Sequence, residues 1–525
     1  MAISKLKQAI ICITTISAAI MELIDTSITN VALNNISGSL GATLEDASWI
    51  ITAYAIANVI IIPLTGFLSR FFGRKNYYLT SIIIFTIASY ACGHASSLWM
   101  LVFWRFVQGI GGGALISVSQ SILFEAFPPH KIGMASGIFA MGIVIGPTVG
   151  PILGGYIVDN YTWSLIFDIN VPIGILAAFL TWRYIDRKDD EHHIDRRKIP
   201  IDYVGITSLI FGIGALQYVL EKGQSKDWMD DGTIRFLTAI AVLGIGLFIY
   251  TELTAKNPVI NLKVLRNRNL IGSNVLTFVV GFGMYGSVYL FPVMVQRIMG
   301  FTPTDAGMAL MPSALVTIFI MPVIGGSLSK GFPPIIYVIT GFVLFILHGY
   351  TASLATVDSG KWWFISTQIF RGIGTAFLVV PLISQAVVGL QPKEMPYGIA
   401  LTNMFRQLGG AFGIAAINTY VLRRYATHRS DLVSDLQANN PLVTQRLSDI
   451  SHAMIAKGIN PSIVQTKGAY SILDFNIDTQ SQLMAYLDGF ILISIFFICS
   501  IPFLLLLKNK KPNAAERAEV ASGAH

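Results

Sequence analysis

Fourteen times along the chain a run of roughly twenty apolar residues recurs, the length a helix needs to cross the hydrocarbon core of a bilayer. The runs occupy 9–33, 48–69, 77–95, 98–122, 132–156, 164–185, 202–221, 234–253, 270–292, 306–327, 335–354, 362–388, 397–420 and 485–507. Blocks of this size are not the narrow apolar stripes of soluble amphipathic helices. Composition agrees: 53% of the 525 residues are hydrophobic and 12% are charged, where a soluble domain carries about 25% charged residues. An all-α integral membrane protein is predicted, and a soluble globular domain is excluded. The run at 9–33 is too long for the apolar part of a secretory signal and contains Glu22 and Asp25, so it is expected to be the first span.

Lys and Arg outnumber Asp and Glu by 36 to 29, but the basic residues fall between apolar runs rather than on one basic domain. Membrane topology accounts for them, and no nucleic-acid partner is expected. With the N-terminus inside, cytoplasmic segments collect Lys5 and Lys7, then Arg70, Arg74 and Lys75, then six basic residues at 183–198, then Lys256, Lys263, Arg266 and Arg268, and finally Lys508, Lys510 and Lys511. The first three outward loops contain no Lys or Arg. The positive-inside bias therefore predicts that both termini are cytoplasmic. The expected organisation is an N-terminal six-helix bundle (1–185), then a charged cytoplasmic linker and two inserted spans (186–269). A C-terminal six-helix bundle (270–507) follows, carrying a polar, partly helical outer loop at 423–484, and a cytoplasmic tail (508–525) ends the chain.

A weak internal repeat supports two parallel halves. Gly66-Phe-Leu-Ser-Arg70 after span two resembles Gly326-Ser-Leu-Ser-Lys330 after span ten, and Arg105 in span four has Arg371 in span twelve as a counterpart. The offsets are 260 and 266 residues. Parallel six-span halves typify one large class of secondary transporter, although chance similarity between apolar sequences gives weak repeats too.

Charge inside a span carries the most chemical information, because an acid near the bilayer centre costs about 2.5–3.5 kcal/mol on insertion scales. Glu22, Asp25 and Thr29 are spaced three and four apart and share one helical face. Asp25 lies about 12 Å below the outer end of span one, and Arg105 about 10 Å below the outer end of span four, at the helical rise per residue. Opposite charges at matching depth are expected to communicate. Either Asp25 loads and releases a proton as its access to Arg105, substrate and water changes, or the pair is static and fixes helix packing. Glu22 carries the same two alternatives.

Glycines in span five recur at Gly137, Gly146, Gly150, Gly154 and Gly155, with Pro147 and Pro151 among them. Small residues at such spacing let helices approach closely and the prolines bend them. Span four adds Arg105-Phe-Val-Gln108-Gly109-Ile-Gly111-Gly112-Gly113. Here the chain resembles the major facilitator superfamily, and within it the fourteen-span drug:proton antiporters of the EmrB/QacA type. Residues 137–155 match the span-five antiporter signature glycine for glycine, residues 105–113 match the span-four signature, and residues 24–33 are similar to the span-one pattern LDxTxxNxALP, with Ser27 for the Thr and Asn34 after the closing Leu33 where the pattern has Pro. The segments beginning at Trp163 and Arg406 also resemble family segments. One motif departs: Arg70 stands where the loop pattern GxLADRxGRK has an acid, while Gly66, Gly73, Arg74 and Lys75 match. That substitution puts the family's cytoplasmic latch between the halves in doubt.

The resemblance implies the major facilitator fold, two six-helix bundles plus two inserted transmembrane helices, fourteen spans in all. It also implies alternating-access export of hydrophobic or amphipathic compounds from a cell inner membrane, driven by the proton gradient without a cofactor. A periplasmic adaptor and an outer-membrane channel are the implied partners. In that scheme Asp25, Glu22 and Arg105 couple protons, and Gly66, Gly73, Arg74 and the span-five residues Gly137, Gly146, Gly150, Pro151, Gly154 and Gly155 govern the conformational change. Thr29, Gln108, Arg371, Asn403, Arg406 and Gln407 are the candidates for lining a substrate cavity, with mutual satisfaction inside the bundle as the alternative for the last four. Asp168 is expected to cap span six, and Glu125 and Lys131 to be solvated at a turn. No phosphate loop, HExxH motif or Cys/His cluster points to an enzyme or a metal site. A dedicated exporter of a metabolite such as a fatty acid or siderophore is the nearest alternative, and a receptor or passive channel the more distant one.

Overall fold

The computed structural model describes residues 4–186, 201–255, 258–434, 436, 440–461, 464 and 468–507. Among the described residues fourteen helices pack as the body, with the further helix Pro441–Ala456 outside it: α1 (Lys5–Ser39), α2 (Trp49–Phe72), α3 (Arg74–Gly93), α4 (Leu98–Glu125), α5 (Ile132–Asn160), α6 (Asn170–Tyr184), α7 (Tyr203–Lys222), α8 (Gly232–Thr254), α9 (Arg268–Ile298), α10 (Pro303–Ser329), α11 (Pro334–Ala352), α12 (Lys361–Ala386), α13 (Met395–Ser434) and α14 (Ala469–Ser500). Helix is the form that satisfies every backbone donor and acceptor within its own segment, which hydrocarbon demands. Local signals set the ends. Ser4 accepts from Lys7 N, Asp231 from Ile234 N and Thr302 from Asp305 N, each capping a first turn. Gly73 turns α2 into α3 with φ +81°, a conformation costly for any side chain with a Cβ.

Among the described residues, twelve helices are long and apolar enough to cross a membrane. The other two, α3 and α13, are more polar yet pack among them: α3 lies against α4 and α6, and α13 against α9, α14 and α2. A helix shielded by neighbours can carry polar side chains that a lipid-facing one cannot. The helices fall into two groups. In the first, α1 packs on α5, α6 and α4, α2 on α4, and α3 on α4 and α6; in the second, α9 packs on α13, α12 and α14, α10 on α12, and α11 on α12 and α14. The inserted pair α7–α8 meets at Gly212 and Gly244, where a Cβ on either would stand 2.7 Å from the other helix's backbone. Only 17% of the apolar window of α8 is buried, so this helix is the most lipid-exposed of the set.

One sequence expectation is sharpened and one changes. The segment at 423–484, expected as a polar, partly helical outer loop, is built largely of helix: α13 runs on to Ser434, α14 starts at Ala469, and the helix Pro441–Ala456 lies between. Ions knit the extensions together, Arg424 and His428 to Asp488 (2.5 and 2.8 Å) and Arg429 to Asp474 and Asp478 (2.6 and 3.1 Å). The run at 164–185 breaks into a short turn, Leu165–Asp168, and α6. Asp168 closes that turn rather than capping α6, and its Oδ1 sits 3.8 Å from His94 Nδ1. Of the charged linker at 186–200, all but Asp186 lies outside the described residues, as does the tail at 508–525.

Candidate functional site: a buried charge network

Asp25 and Arg105, expected at matching depth, are brought together. Arg105 Nη1 donates to Asp25 Oδ2 at 2.5 Å, and the side chains are 1% and 0% exposed. The carboxylate is completed by Gln108 Nε2 and Asn170 Nδ2, both donating to Oδ1 at 2.9 Å. Ser89 Oγ accepts from the same two amides at 3.2 and 3.0 Å and passes its own proton to the Phe167 carbonyl at 2.9 Å. The guanidinium also donates to Gln108 Oε1 (2.7 Å) and the Ile50 carbonyl (3.3 Å), and lies 4.2 Å from the centre of the Tyr54 ring. Helices α4 and α6 of the first group thus hold the α1 carboxylate with every oxygen satisfied, and α3 backs them through Ser89. A buried ion pair holds only when its remaining hydrogen-bonding capacity is met, and here it is.

Glu22, one turn away on α1, is 3% exposed and differs. Its Oε1 accepts from Tyr54 Oη and Asn58 Nδ2, both at 3.0 Å, while Oε2 has no partner. Arg406, on α13 of the second group, lies within Coulombic reach of Glu22 without touching it. Two of its nitrogens, Nε and Nη1, have no partner, and Nη2 donates to Asn403 Oδ1 at 3.1 Å. Asn403 in turn reaches α4, donating to Gln120 Oε1 at 3.1 Å and Ser117 Oγ at 3.2 Å. Asn403 and Arg406 are therefore brought to the junction of the two groups, and Gln407 beside them is half-buried. Thr29 is buried but turned away: its hydroxyl donates to the Asp25 backbone carbonyl at 2.7 Å.

The glycines of α5, a single row in sequence, serve two partners. Gly137 faces α10, where a Cβ would stand 2.6 Å from the Met321 carbonyl oxygen. Gly146, Gly150 and Gly154 face α1, and a Cβ on Gly154 would stand 2.7 Å from Ile28 Cγ1. Gly155 has nothing within 4 Å of its Cβ position, so the expected close approach does not extend to it. Pro151 lies inside α5, which stays helical throughout. At the end of the molecule holding the α2–α3 turn, Gly66 abuts the Tyr397 ring of α13 (2.7 Å from a Cβ) and Met134 N donates to Ser329 Oγ at 2.9 Å. The two groups are thus in contact at that end. Arg74 forms an ion pair with Glu125, which corrects the expectation of a merely solvated acid there. Arg70 is exposed.

Helix-level equivalence between the halves holds, with the register shifted from the one expected. Gly109 on α4 meets Tyr54 of α2 and Gly372 on α12 meets Ser313 of α10; Gly111 meets Phe85 of α3 and Gly374 meets Phe345 of α11. That aligns Arg105-Phe-Val-Gln108-Gly-Ile-Gly111 with Gln368-Ile-Phe-Arg371-Gly-Ile-Gly374. Arg371 therefore occupies the level of Gln108, and Gln368 that of Arg105. Sequence reading did not single out Tyr54, Asn58, Ser89, Asn170, His348 or Gln368. Each is a polar residue inside an apolar run, which was the available signal.

The comparisons with known proteins agree with this architecture. The family model described as Major Facilitator Superfamily matches residues 15–414. The multidrug export protein EmrB of Escherichia coli (strain K12) is 36% identical over 431 residues, covering 81% of this chain and 82% of that protein. The fatty acid resistance protein FarB of Neisseria gonorrhoeae is 34% identical over 494 residues, 94% of each chain. Among solved structures, the proton:xylose symporter XylE superposes with a TM-score of 0.59 at 13% identity over 99% of this chain and all of that one, a likeness of fold alone. With its family model matched over most of the chain and its two groups of helices joined around buried charge, the protein belongs to the Major Facilitator Superfamily.

Proposed function

We propose that this protein is a proton-driven multidrug efflux transporter, exporting hydrophobic or amphipathic compounds across a cell inner membrane by alternating access. The observation that carries it is the Asp25–Arg105 network: a carboxylate in the first helix held by three donors from two others, one turn from a second carboxyl with a free oxygen. Protonating Asp25 would remove the charge that Arg105, Gln108 and Asn170 converge on and loosen α1 from α4 and α6. Rocking of one half against the other would follow, closing or opening the junction where Gly66 meets Tyr397 and Gly137 meets α10. Glu22 on α1 and Arg406 on α13, buried in opposite halves and within Coulombic reach of one another, would border the path between them. The basic loops support cytoplasmic termini; the Gly66 end would then be the cytoplasmic one, with the two halves in contact on that side. All fourteen long helices would then cross the membrane. The 36% identity to a multidrug export protein supports the substrate breadth, and a periplasmic adaptor with an outer-membrane channel belongs to the same proposal.

Efflux from proteoliposomes under an imposed pH gradient tests it, using wild type and Asp25→Asn. Gradient-driven flux lost in the variant, with substrate binding kept, is the expected outcome. Equal flux in both would move coupling to Glu22, and flux indifferent to the gradient in wild type would overturn antiport. A second reading, export of a fatty acid, is favoured by the FarB match, which extends over 94% of the chain where the EmrB match extends over 81%. Competition by a single chemical class would select it.

A further inference from the structure

We propose that the second half holds a small monovalent anion, of halide size, at Arg371. Arg371 is 7% exposed and Gln368 and His348 are 0% exposed. Arg371 Nη2 donates to Ser313 Oγ at 3.1 Å, while its Nε has no partner, nor do either amide atom of Gln368 or Nε2 of His348. These groups share one locality. Gln368 and Arg371 lie one turn apart on the same face of α12, and His348 is tied to that turn by its Nδ1, which donates to the Thr367 carbonyl at 2.9 Å. Arg371 is within Coulombic reach of the His348 ring.

A buried guanidinium without counter-charge is strongly unfavourable, and intramembrane charges accordingly find partners. The first half solves this with Asp25. Among the described residues no helix of the second half offers Arg371 an acid: α9, α11 and α12 contain no Asp or Glu, and the single acid of α13, Asp431, is exposed near the end of that helix. The single acid of α10, Asp305, sits in its first turn and is held by Lys361 at 2.8 Å. Those of α14 answer Arg424, Arg429, His428, Tyr425 and Gln482. Among the described residues Arg371 forms no ion pair, and its side-chain partner is the Ser313 hydroxyl. An ion from solution supplies the missing charge, accepting from Arg371 Nε and from the Gln368 amide with its Nε2 turned inward. Halide rather than a larger anion follows from the donor set, two N–H groups one helical turn apart with no further cation.

Thermal unfolding of the purified full-length protein in detergent tests this, with sodium gluconate exchanged for sodium chloride or bromide at constant ionic strength. The expected result is a saturable rise in midpoint of about 3 °C with either halide, absent in Arg371→Met. Should Arg371→Met fail to fold, Gln368→Leu takes its place, and a bromide anomalous peak beside Arg371 in wild-type crystals is the independent measurement. A wild-type midpoint indifferent to halide, or a rise of equal size in the variant, overturns the site. The two proposals fail separately: gradient-driven flux in a protein whose midpoint is indifferent to halide would sink the anion site alone, and halide stabilisation without gradient-driven flux would sink the antiporter alone.

Discussion

Arg105 and Arg371 occupy corresponding helices of the two halves and live in opposite circumstances. Around Arg105 the sequence supplies an acid, two amides, a serine and a ring, and every polar atom of Asp25 is engaged. Around Arg371 it supplies an amide with both ends unengaged, an imidazole with one nitrogen unengaged and a single hydroxyl. Arginine and glutamine have exchanged places along the helix, and the acid of α1 has no successor in α9. Duplicated folds can thus keep helix packing, set by Gly109, Gly111, Gly372 and Gly374, while dividing the chemistry. One half holds a titratable group in a closed cage, and the other keeps a cation open to something that is not part of the chain.

Truncating each arginine breaks the comparison most sharply. Arg105→Leu strands Asp25 as an uncompensated buried carboxylate, a loss of about 3–5 kcal/mol, and abolishes gradient-driven flux. Arg371→Leu, measured in gluconate, removes a charge that had a hydroxyl partner but no counter-charge and leaves the unfolding midpoint within about 1–2 °C of wild type, the order of a 0.5 kcal/mol change. Equal destabilisation by the two substitutions would mean that Arg371 has an acidic partner in the protein after all. Next in size is Asn170→Leu, which deletes one of the two amides on Asp25 Oδ1 and costs about 1–3 kcal/mol. Its flux should fall while binding persists, since Arg105 and Gln108 still hold the carboxylate.

How much of this was legible in the sequence follows from what each feature depends on. Apolar runs are a property of the chain alone, so helix number and approximate limits could be read directly, and depth along each helix put Asp25 and Arg105 at one level. Whether a helix faces lipid or its neighbours is not written in its own residues, which is why α3 and α13 fall short of the apolarity of the others while still packing inside. The segment at 423–484 could be read as polar and partly helical, but not its pairing, because the ionic partners are some 50 to 60 residues apart in sequence, as in Arg424 with Asp488 and Arg429 with Asp478. Asn170 and Tyr54 could not be ranked above other polar residues until the fold gave them neighbours. Gly155 reads like Gly154, yet one faces a packed helix and the other nothing.

That last pair supplies a finer division within α5. Gly137→Ala pushes a methyl group 2.6 Å from a backbone carbonyl of α10, in the contact between halves, where the neighbour cannot yield as a flexible side chain would. Overpacking of this kind costs about 1–3 kcal/mol, and because it falls on the junction it should slow transport more than it lowers stability. Gly155→Ala meets no neighbour and should leave flux and melting unchanged, or gain slightly from helix propensity. Identical effects of the two on flux, measured in the same proteoliposomes, would remove the distinction between junction and open face.

The smallest expected effect is also the most constructive, because it repairs the second half instead of damaging the first. Gln368→Glu places a carboxylate one turn before Arg371 on the same face of α12, in the order that favours an ion pair along a helix. Both partners are buried, so desolvation offsets most of the attraction and the net gain in stability is about 1 kcal/mol or less. The informative readout is therefore the anion dependence. A protein that supplies its own counter-charge has no use for a halide, and the Gln368→Glu midpoint should be flat between gluconate, chloride and bromide where wild type rises. Retained halide stabilisation would place the ion elsewhere. Flux under a proton gradient should be unchanged, since the cage around Asp25 is left whole; a change in its pH profile would show that the two halves communicate through charge as well as through packing.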